Sequence, residues 1–304
     1  MPGPLPSPLR RSLLFFPADR PDRFAKAVAS GADAVCIDLE DGVAAQAKDA
    51  ARDIAFGRIL PEARSRVEVI LRINDPMTDV GRLDLDALCI AASPPDAVMI
   101  PKVDAAGEVS WLGGLLGPLA PGLRLIPTIE TARALMAAEE IACASDLVGG
   151  LLFGGVDLSV ELGCALDWEP LLYARSRVVH AAALAKVEAV DVPFMNLEDE
   201  SALAREAAAA RRLGFGGKAA IHPRQIPAIN DAFSPSRAEI ERALAVLAAN
   251  EASGGAAIAS EGALVDVPVV KAALLTLGRA DAIKAKRRER RAESGEQRAE
   301  SSEQ

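Results

Sequence analysis

The chain has 304 residues, half of them hydrophobic, and a formal net charge of −9; this suits one large domain or two small ones and argues against a general nucleic-acid-binding protein. No apolar run reaches the roughly 20 residues of a membrane span, and Met1–Pro8 lacks the charged start and apolar core of a signal peptide. Cys36, Cys89, Cys143 and Cys164 stand far apart with no CxxC pair, so they read as buried, reduced thiols, in keeping with a cytoplasmic protein.

Short apolar runs alternate with longer amphipathic ones along the chain. Leu13–Phe16 reads as a first strand, followed by a helix opened by Pro21 and closed near Gly31. Ala34–Ile37 is a second strand with helix Ala45–Leu60, and Val67–Ile73 a third with helix Leu83–Ala92. Ala97–Ile100 and Leu123–Pro127 follow as strands, separated by a helix around Glu108–Leu116, and Thr131–Ala144 reads as one Ala- and Glu-rich helix. Leu151–Phe153, Ala189–Val192 and Lys218–Ile221 complete the strands, with helices around Tyr173–Ala185 and Ala202–Arg212. Eight strand–helix units predict a parallel (β/α)8 TIM barrel over residues 10–233. A doubly wound open sheet is the competing fold, but it would usually carry a Gly-rich loop after strand one, where this chain has Pro17, Ala18, Asp19 and Arg20.

Beyond the barrel, residues 234–280 read as a helix–hairpin–helix extension. It comprises helix Ser236–Ala252, β-like runs Ala256–Ala259 and Ala263–Val265 around a turn at Glu261–Gly262, and a last helix from near Pro268. Residues 281–304 are charged and poor in apolar side chains, which predicts a solvated tail, disordered or a frayed helix extension, rather than a nucleic-acid patch.

In such a barrel the chemistry sits where strands end at their carboxyl side. Those ends deliver Asp38, Glu40 and Asp41, then Arg72 and Asn74, Lys102, Glu130, Asp157 after Gly154–Gly155, and His222. A helix cap explains one such Asp but not this convergence. Glu130 and Asp157 follow successive strands, and two carboxylates completed by water and a bidentate ligand form the octahedral oxygen site that Mg²⁺ prefers. Ion pairing of Glu130 with Arg133 or Arg72, and capping by Asp157, are the structural alternatives. Arg72 offers a planar fork for a carboxylate or enolate oxygen, and a salt bridge inside the mouth is its structural alternative. Lys102 and the Asp38–Glu40–Asp41 cluster are open to a purely structural charge network. His180 reads as a helix-surface residue, and His222 as structural or close to a bound ligand.

Several segments then carry a specific resemblance: RSLLFFPADRPDRFAKA (11–27), DAVCIDLEDGV (33–43), LRIN (71–74), MIPKV (99–103), IPTIETARAL (126–135), LLFGGVDLSVELG (151–163), LLYARSRVV (171–179), GFGGKAAIHPRQI (214–226) and INDAFSPS (229–236). Over about Arg10 to Arg279 the sequence resembles the citrate lyase β-subunit-like branch of the HpcH/HpaI aldolase superfamily, relatives of malyl-CoA and citramalyl-CoA lyases. The resemblance implies a carbon–carbon lyase that uses Mg²⁺ (or Mn²⁺) on a 3-hydroxyacyl coenzyme A thioester, giving an acyl-CoA and an α-keto acid. It implies Glu130 and Asp157 as metal and substrate ligands, and Arg72 at the substrate carboxylate or enolate oxygen. Phe15, Arg20 and Lys26 would hold the coenzyme A moiety, and Ala220 and Ile221 would make backbone contacts to the thioester arm. Asp266, in LVDVP, matches an acid/base aspartate supplied by a neighbouring subunit, which implies a homo-oligomer, a trimer or a multiple of one. Gly42 stands where Ala is common, and Asp75 follows Asn74; neither removes a catalytic group. Two other activities stay open: a class II aldolase acting on free pyruvate-type carbonyls, which typically uses a histidine base, and a citryl-thioester lyase subunit that needs an acyl-carrier partner.

Overall fold

Eight short parallel strands close on one another in sequence order: β1 (Ser12–Pro17), β2 (Ala34–Asp38), β3 (Glu68–Arg72), β4 (Ala97–Ile100), β5 (Arg124–Ile129), β6 (Leu151–Phe153), β7 (Ala189–Asp191) and β8 (Gly217–Ala220). β8 pairs back onto β1 with Leu13 opposite Ala219. The computed structural model describes residues 8–63, 67–118, 120, 122–260 and 263–300. Its contacts divide the chain into two units, up to Phe233 and from Ser234 onward.

The strands are apolar on both faces because both are covered. Leu13, Ala34, Cys36, Ile70, Ala97, Met99, Ile126, Leu152, Val190 and Ala219 fill the interior of the barrel. Their neighbours, such as Leu14, Val35, Leu71, Val98 and Leu125, belong to the larger cluster shared with the surrounding helices. A strand repeats its facing every second residue. The inward residues one step further along are therefore Phe15, Asp38, Arg72 and Thr128. The same alternation that builds the core hands polar groups to the carboxyl-terminal mouth.

Several helices differ from their sequence reading. Asp79–Cys89 begins a turn earlier than expected, because Thr78 caps it by accepting a hydrogen bond from the Gly81 amide at 3.2 Å. The segment read as one helix over Thr131–Ala144 is two short ones, Ala132–Met136 and Ala138–Ala142, separated at Ala137. Helix Gly155–Leu162, directly after β6, was not foreseen; it starts on a glycine and ends at Gly163 in the left-handed conformation. Its short apolar periodicity was too weak to read.

In the second unit, helix Arg237–Ala252 starts with a capping box between Ser236 and Glu239. Strands Ile258–Ser260 and Ala263–Val265 pair antiparallel; the expected turn at Glu261–Gly262 lies outside the described residues. The last helix runs Val267–Glu300. The chain is thus helical over 281–300, a helical extension being one of the two forms expected of that charged stretch. Alanine, arginine, lysine and glutamate are strong helix formers, and a helix needs no apolar side chains to satisfy its own backbone. Among the described residues no helix is long and apolar enough to cross a membrane. All four cysteines are free, but only Cys36 is buried; Cys143, expected inside, is exposed just past the end of helix Ala138–Ala142.

Candidate active site

Arg72 closes β3 and is clamped on the mouth. Its Nε and Nη2 donate to the two carboxylate oxygens of Asp38, at 2.8 and 2.6 Å. Its Nη1 lies 2.7 Å from Glu40 Oε2, and its guanidinium carbon sits 5.1 Å from the centre of the Phe15 ring. Burial alone would weaken its hold on the proton, but the hydrogen bonds and charges of Asp38 and Glu40 more than compensate and keep it cationic. Asp38 also accepts from the amides of Glu40 and Gly42, both at 2.9 Å. A Cβ at residue 42 would stand 2.3 Å from Asp38 Oδ2, so glycine is what lets that amide approach here. Lys48 pins the same loop from behind, donating to the carbonyls of Leu39 and Glu40 and to Asn74 Oδ1. Arg72 is therefore both a salt bridge of the mouth and a fixed fork whose position is set by the loop after β2.

Glu130 follows β5 and is only 5 % exposed. Its Oε1 accepts from the backbone amide of Lys102 at 2.7 Å, and the Lys102 ammonium lies 3.5 Å from the same oxygen. That ammonium also pairs with Asp157, in the first turn of helix Gly155–Leu162. Arg133, an expected partner of Glu130, instead lies near Asp104. A Cβ at residue 154 would stand 2.3 Å from Glu130 Cβ and 2.7 Å from its Oε2, so only glycine leaves Glu130 its place. Burial raises the pKa of Glu130, against the opposing pull of Lys102. Burial also pushes Glu40 up to about 7, with Arg72 opposing and Asp41 and Glu130 adding to the rise. Two carboxylates already joined through one cation fit a divalent ion between them. Among the described residues no group of three or more His, Cys, Asp or Glu side chains is placed to hold a metal. The remaining ligands would be water and substrate, a pattern that suits Mg²⁺ better than zinc.

These groups surround a cavity of about 390 Å³, which Phe15, Arg72, Glu130, Asp157 and Ile221 all line. Thr128, at the end of β5, also lines it, as do Arg23, Leu152, Val192, Pro193 and Met195, which sequence reasoning had not singled out. The inward parity of β6 was the available signal for Leu152. Arg20 and Lys26 are exposed on the segment after β1, Arg20 hydrogen-bonded to Asp22 at 3.0 Å, and neither lines the cavity. Ala220 is fully buried. The amides of Ile221 and His222 donate to Gln225 Oε1 at 2.9 and 3.2 Å, so a ligand contact at Ile221 would fall to its carbonyl or side chain. His222 Nδ1 accepts from the Arg224 amide at 3.2 Å and caps the turn Pro223–Gln225. His180 is 76 % exposed on helix Trp168–Ala185, beside Glu139. Asp266 belongs to the second unit, where its Oδ1 accepts from the Val269 amide at 3.3 Å at the start of the last helix.

The barrel and this mouth define a class, the metal-assisted carbon–carbon lyases and aldolases built on eight-stranded barrels, and sequence comparison agrees. The family model for HpcH/HpaI aldolase/citrate lyase matches residues 11–223, and that for C-C bond lyases of the TIM-barrel fold matches 174–277. The chain belongs to the HpcH/HpaI aldolase/citrate lyase family and is a carbon–carbon lyase. It is 34 % identical to the citrate lyase subunit beta of Leuconostoc mesenteroides subsp. cremoris, covering 86 % of this chain and 90 % of that one. It is 30 % identical to the mitochondrial citramalyl-CoA lyase of Homo sapiens, covering 91 % and 87 %. The crystal structure of CitE from Mycobacterium tuberculosis in complex with magnesium, acetoacetate and coenzyme A superposes with a TM-score of 0.76 at 38 % identity, covering 89 % of this chain and 97 % of that one.

Proposed function

We propose that this protein is a Mg²⁺-dependent lyase that splits a 3-hydroxyacyl-CoA thioester into an acyl-CoA and an α-keto acid, or runs the reverse condensation, in the cytoplasm. The observation that carries this reading is one cavity lined by the pre-clamped Arg72 together with Glu130 and Asp157, the two carboxylates that Lys102 bridges. Glu130 and Asp157 would hold the metal, which when bound polarises the keto-acid carbonyl as a Lewis acid. Arg72, fixed by Asp38, stabilises negative charge that develops on oxygen without having to reorganise. In cleavage the bond between the hydroxyl-bearing carbon and the thioester α-carbon breaks. The hydroxyl releases its proton to solvent water, and the electron pair of the broken bond passes to the thioester as an enolate, which takes one proton at its α-carbon from an acid, so that one proton is released and one taken up. Asp266 of an adjacent subunit is the assigned acid. Phe15 offers a ring to the coenzyme arm, Arg20 and Lys26 are exposed cations suited to its phosphates, and the chain at Ala220 and Ile221 borders the thioester.

The engagement of His222 as a cap and the exposure of His180 count against a histidine-based aldolase acting on free carbonyls. The 34 % identity to a citrate lyase subunit favours one second reading, a citryl-thioester lyase that works on an acyl-carrier partner. A panel of acetyl- and propionyl-CoA against glyoxylate, pyruvate and oxaloacetate, with Mg²⁺ and read by mass, tests the proposal. A new 3-hydroxyacyl-CoA from at least one pair is the expected result; no product from any pair, with turnover restored by an acyl-carrier protein, would favour the second reading.

Exposed Leu244, Leu274 and Leu275 on the two helices of the second unit support assembly with other copies as a homo-oligomer, a trimer or a multiple of one. Mixing inactive Arg72→Ala with inactive Asp266→Ala should restore activity in hybrid oligomers. Demonstrated subunit exchange without recovery would return Asp266 to its own chain or remove it from the reaction.

A further inference from the structure

We infer that Lys102 is the built-in counter-cation of the metal site: its ammonium holds the Glu130–Asp157 pair together when no divalent ion is bound, and a metal enters by displacing it. The inference rests on the reading of Glu130 and Asp157 as metal ligands. It adds a residue that acts against metal affinity while its own backbone positions the site.

Three observations lead to it. The Lys102 ammonium bridges both carboxylates, 3.5 Å from Glu130 Oε1 and in contact with Asp157 Oδ2. Arg72, which also lines the mouth, is already committed to Asp38 and Glu40, and among the described residues Lys102 alone forms ion pairs with Glu130 and Asp157. The backbone at Lys102 is left-handed, with φ 54°, a conformation that residues with a Cβ rarely adopt and that gathers at functional sites. This conformation accompanies the close approach of the Lys102 amide to Glu130 Oε1, at 2.7 Å. Backbone and side chain therefore do different things. The amide fixes one oxygen of Glu130 whatever the side chain does. The ammonium rides on a flexible four-carbon stem, its side chain is 35 % exposed, and it can swing out to water. A divalent ion between the carboxylates would face the ammonium as a like charge at close range, so the two compete for one place.

The test is Mn²⁺ binding to metal-stripped full-length protein, followed by calorimetry and by the paramagnetic resonance of free Mn²⁺, for wild type, Lys102→Met, Lys102→Gln and Glu130→Ala. Met and Gln keep the stem and the amide and remove the charge; melting curves confirm that each variant is folded. Both Lys102 variants should bind Mn²⁺ about tenfold or more tightly than wild type, since they lose a competing like charge, and Mn²⁺ should raise their melting temperature by more. Tighter binding in the variants where wild type binds too weakly to measure supports the inference equally. Unchanged or weaker binding in both Lys102 variants, with Glu130→Ala abolishing it, overturns the counter-cation and leaves the metal site standing. Mn²⁺ binding by Glu130→Ala as by wild type, or no binding by any folded variant, removes the metal reading and this inference with it.

Discussion

The barrel carries buried charge at both ends, and the two ends are finished differently. At the amino-terminal end, Arg10 is fully buried and donates to both oxygens of Glu68 and to the Gly149 carbonyl, at 2.6 to 3.0 Å. Beside it Arg11 grips Asp33 through two side-chain hydrogen bonds, and Ser12 links Asn230 to the Asp33 amide. At the mouth, buried Thr128 Oγ1 has no hydrogen-bond partner, Glu40 is pushed up to about 7, and Lys102 holds a left-handed backbone. A charge network whose members bond chiefly to one another is architecture. An open one costs stability and is retained where a ligand or a reaction completes it.

Crossed substitutions give the largest expected effects and would break the comparison most directly. Glu130→Ala, or Asp157→Ala, should lower kcat/KM by about a thousandfold, ~4 kcal/mol of transition-state stabilisation, while leaving the melting temperature near wild type. Glu68→Ala should do the reverse. It strands the buried Arg10 guanidinium, at a cost of about 3–5 kcal/mol, while turnover per folded molecule stays near wild type. Denaturant titration and steady-state kinetics on both sets check this; a Glu68 variant as stable as wild type, or a Glu130 variant that keeps its activity, would erase the distinction.

A smaller effect sharpens the contrast by pH. Glu40 has a folded-state pKa of about 7 against about 4.5 for the free side chain. Between those values the folded protein binds more protons than the unfolded chain, so stability falls as pH rises through the window and levels off above it. The contribution is on the order of 3 kcal/mol at most. Glu40→Gln should flatten this part of the stability profile between pH 5 and pH 8, measured by urea unfolding. A Glu40→Gln profile parallel to wild type would show that the carboxyl does not titrate in that range.

The sequence alone determined a good deal, and for a physical reason: strands covered on both faces must be apolar, and strand ends in an α/β barrel are where the chain can turn polar. Runs such as Ala97–Ile100 and Leu151–Phe153 were legible residue for residue. So were Arg72, Glu130 and Asp157 as polar residues at or beyond strand ends, and all three line the cavity. What composition left open was the form of the charged stretch beyond residue 280: it is good helix former and poor core former, and only the first property governs local backbone. Partnership was the part the tertiary structure decided. Nothing in the one-dimensional order says that Lys102, rather than Arg133, meets Glu130, that Asp38 clamps Arg72, or that Gln225 captures the amides of Ile221 and His222. Those pairings follow from closing eight strands in register, which brings side chains far apart in sequence to one mouth, and closure depends on all the strands at once.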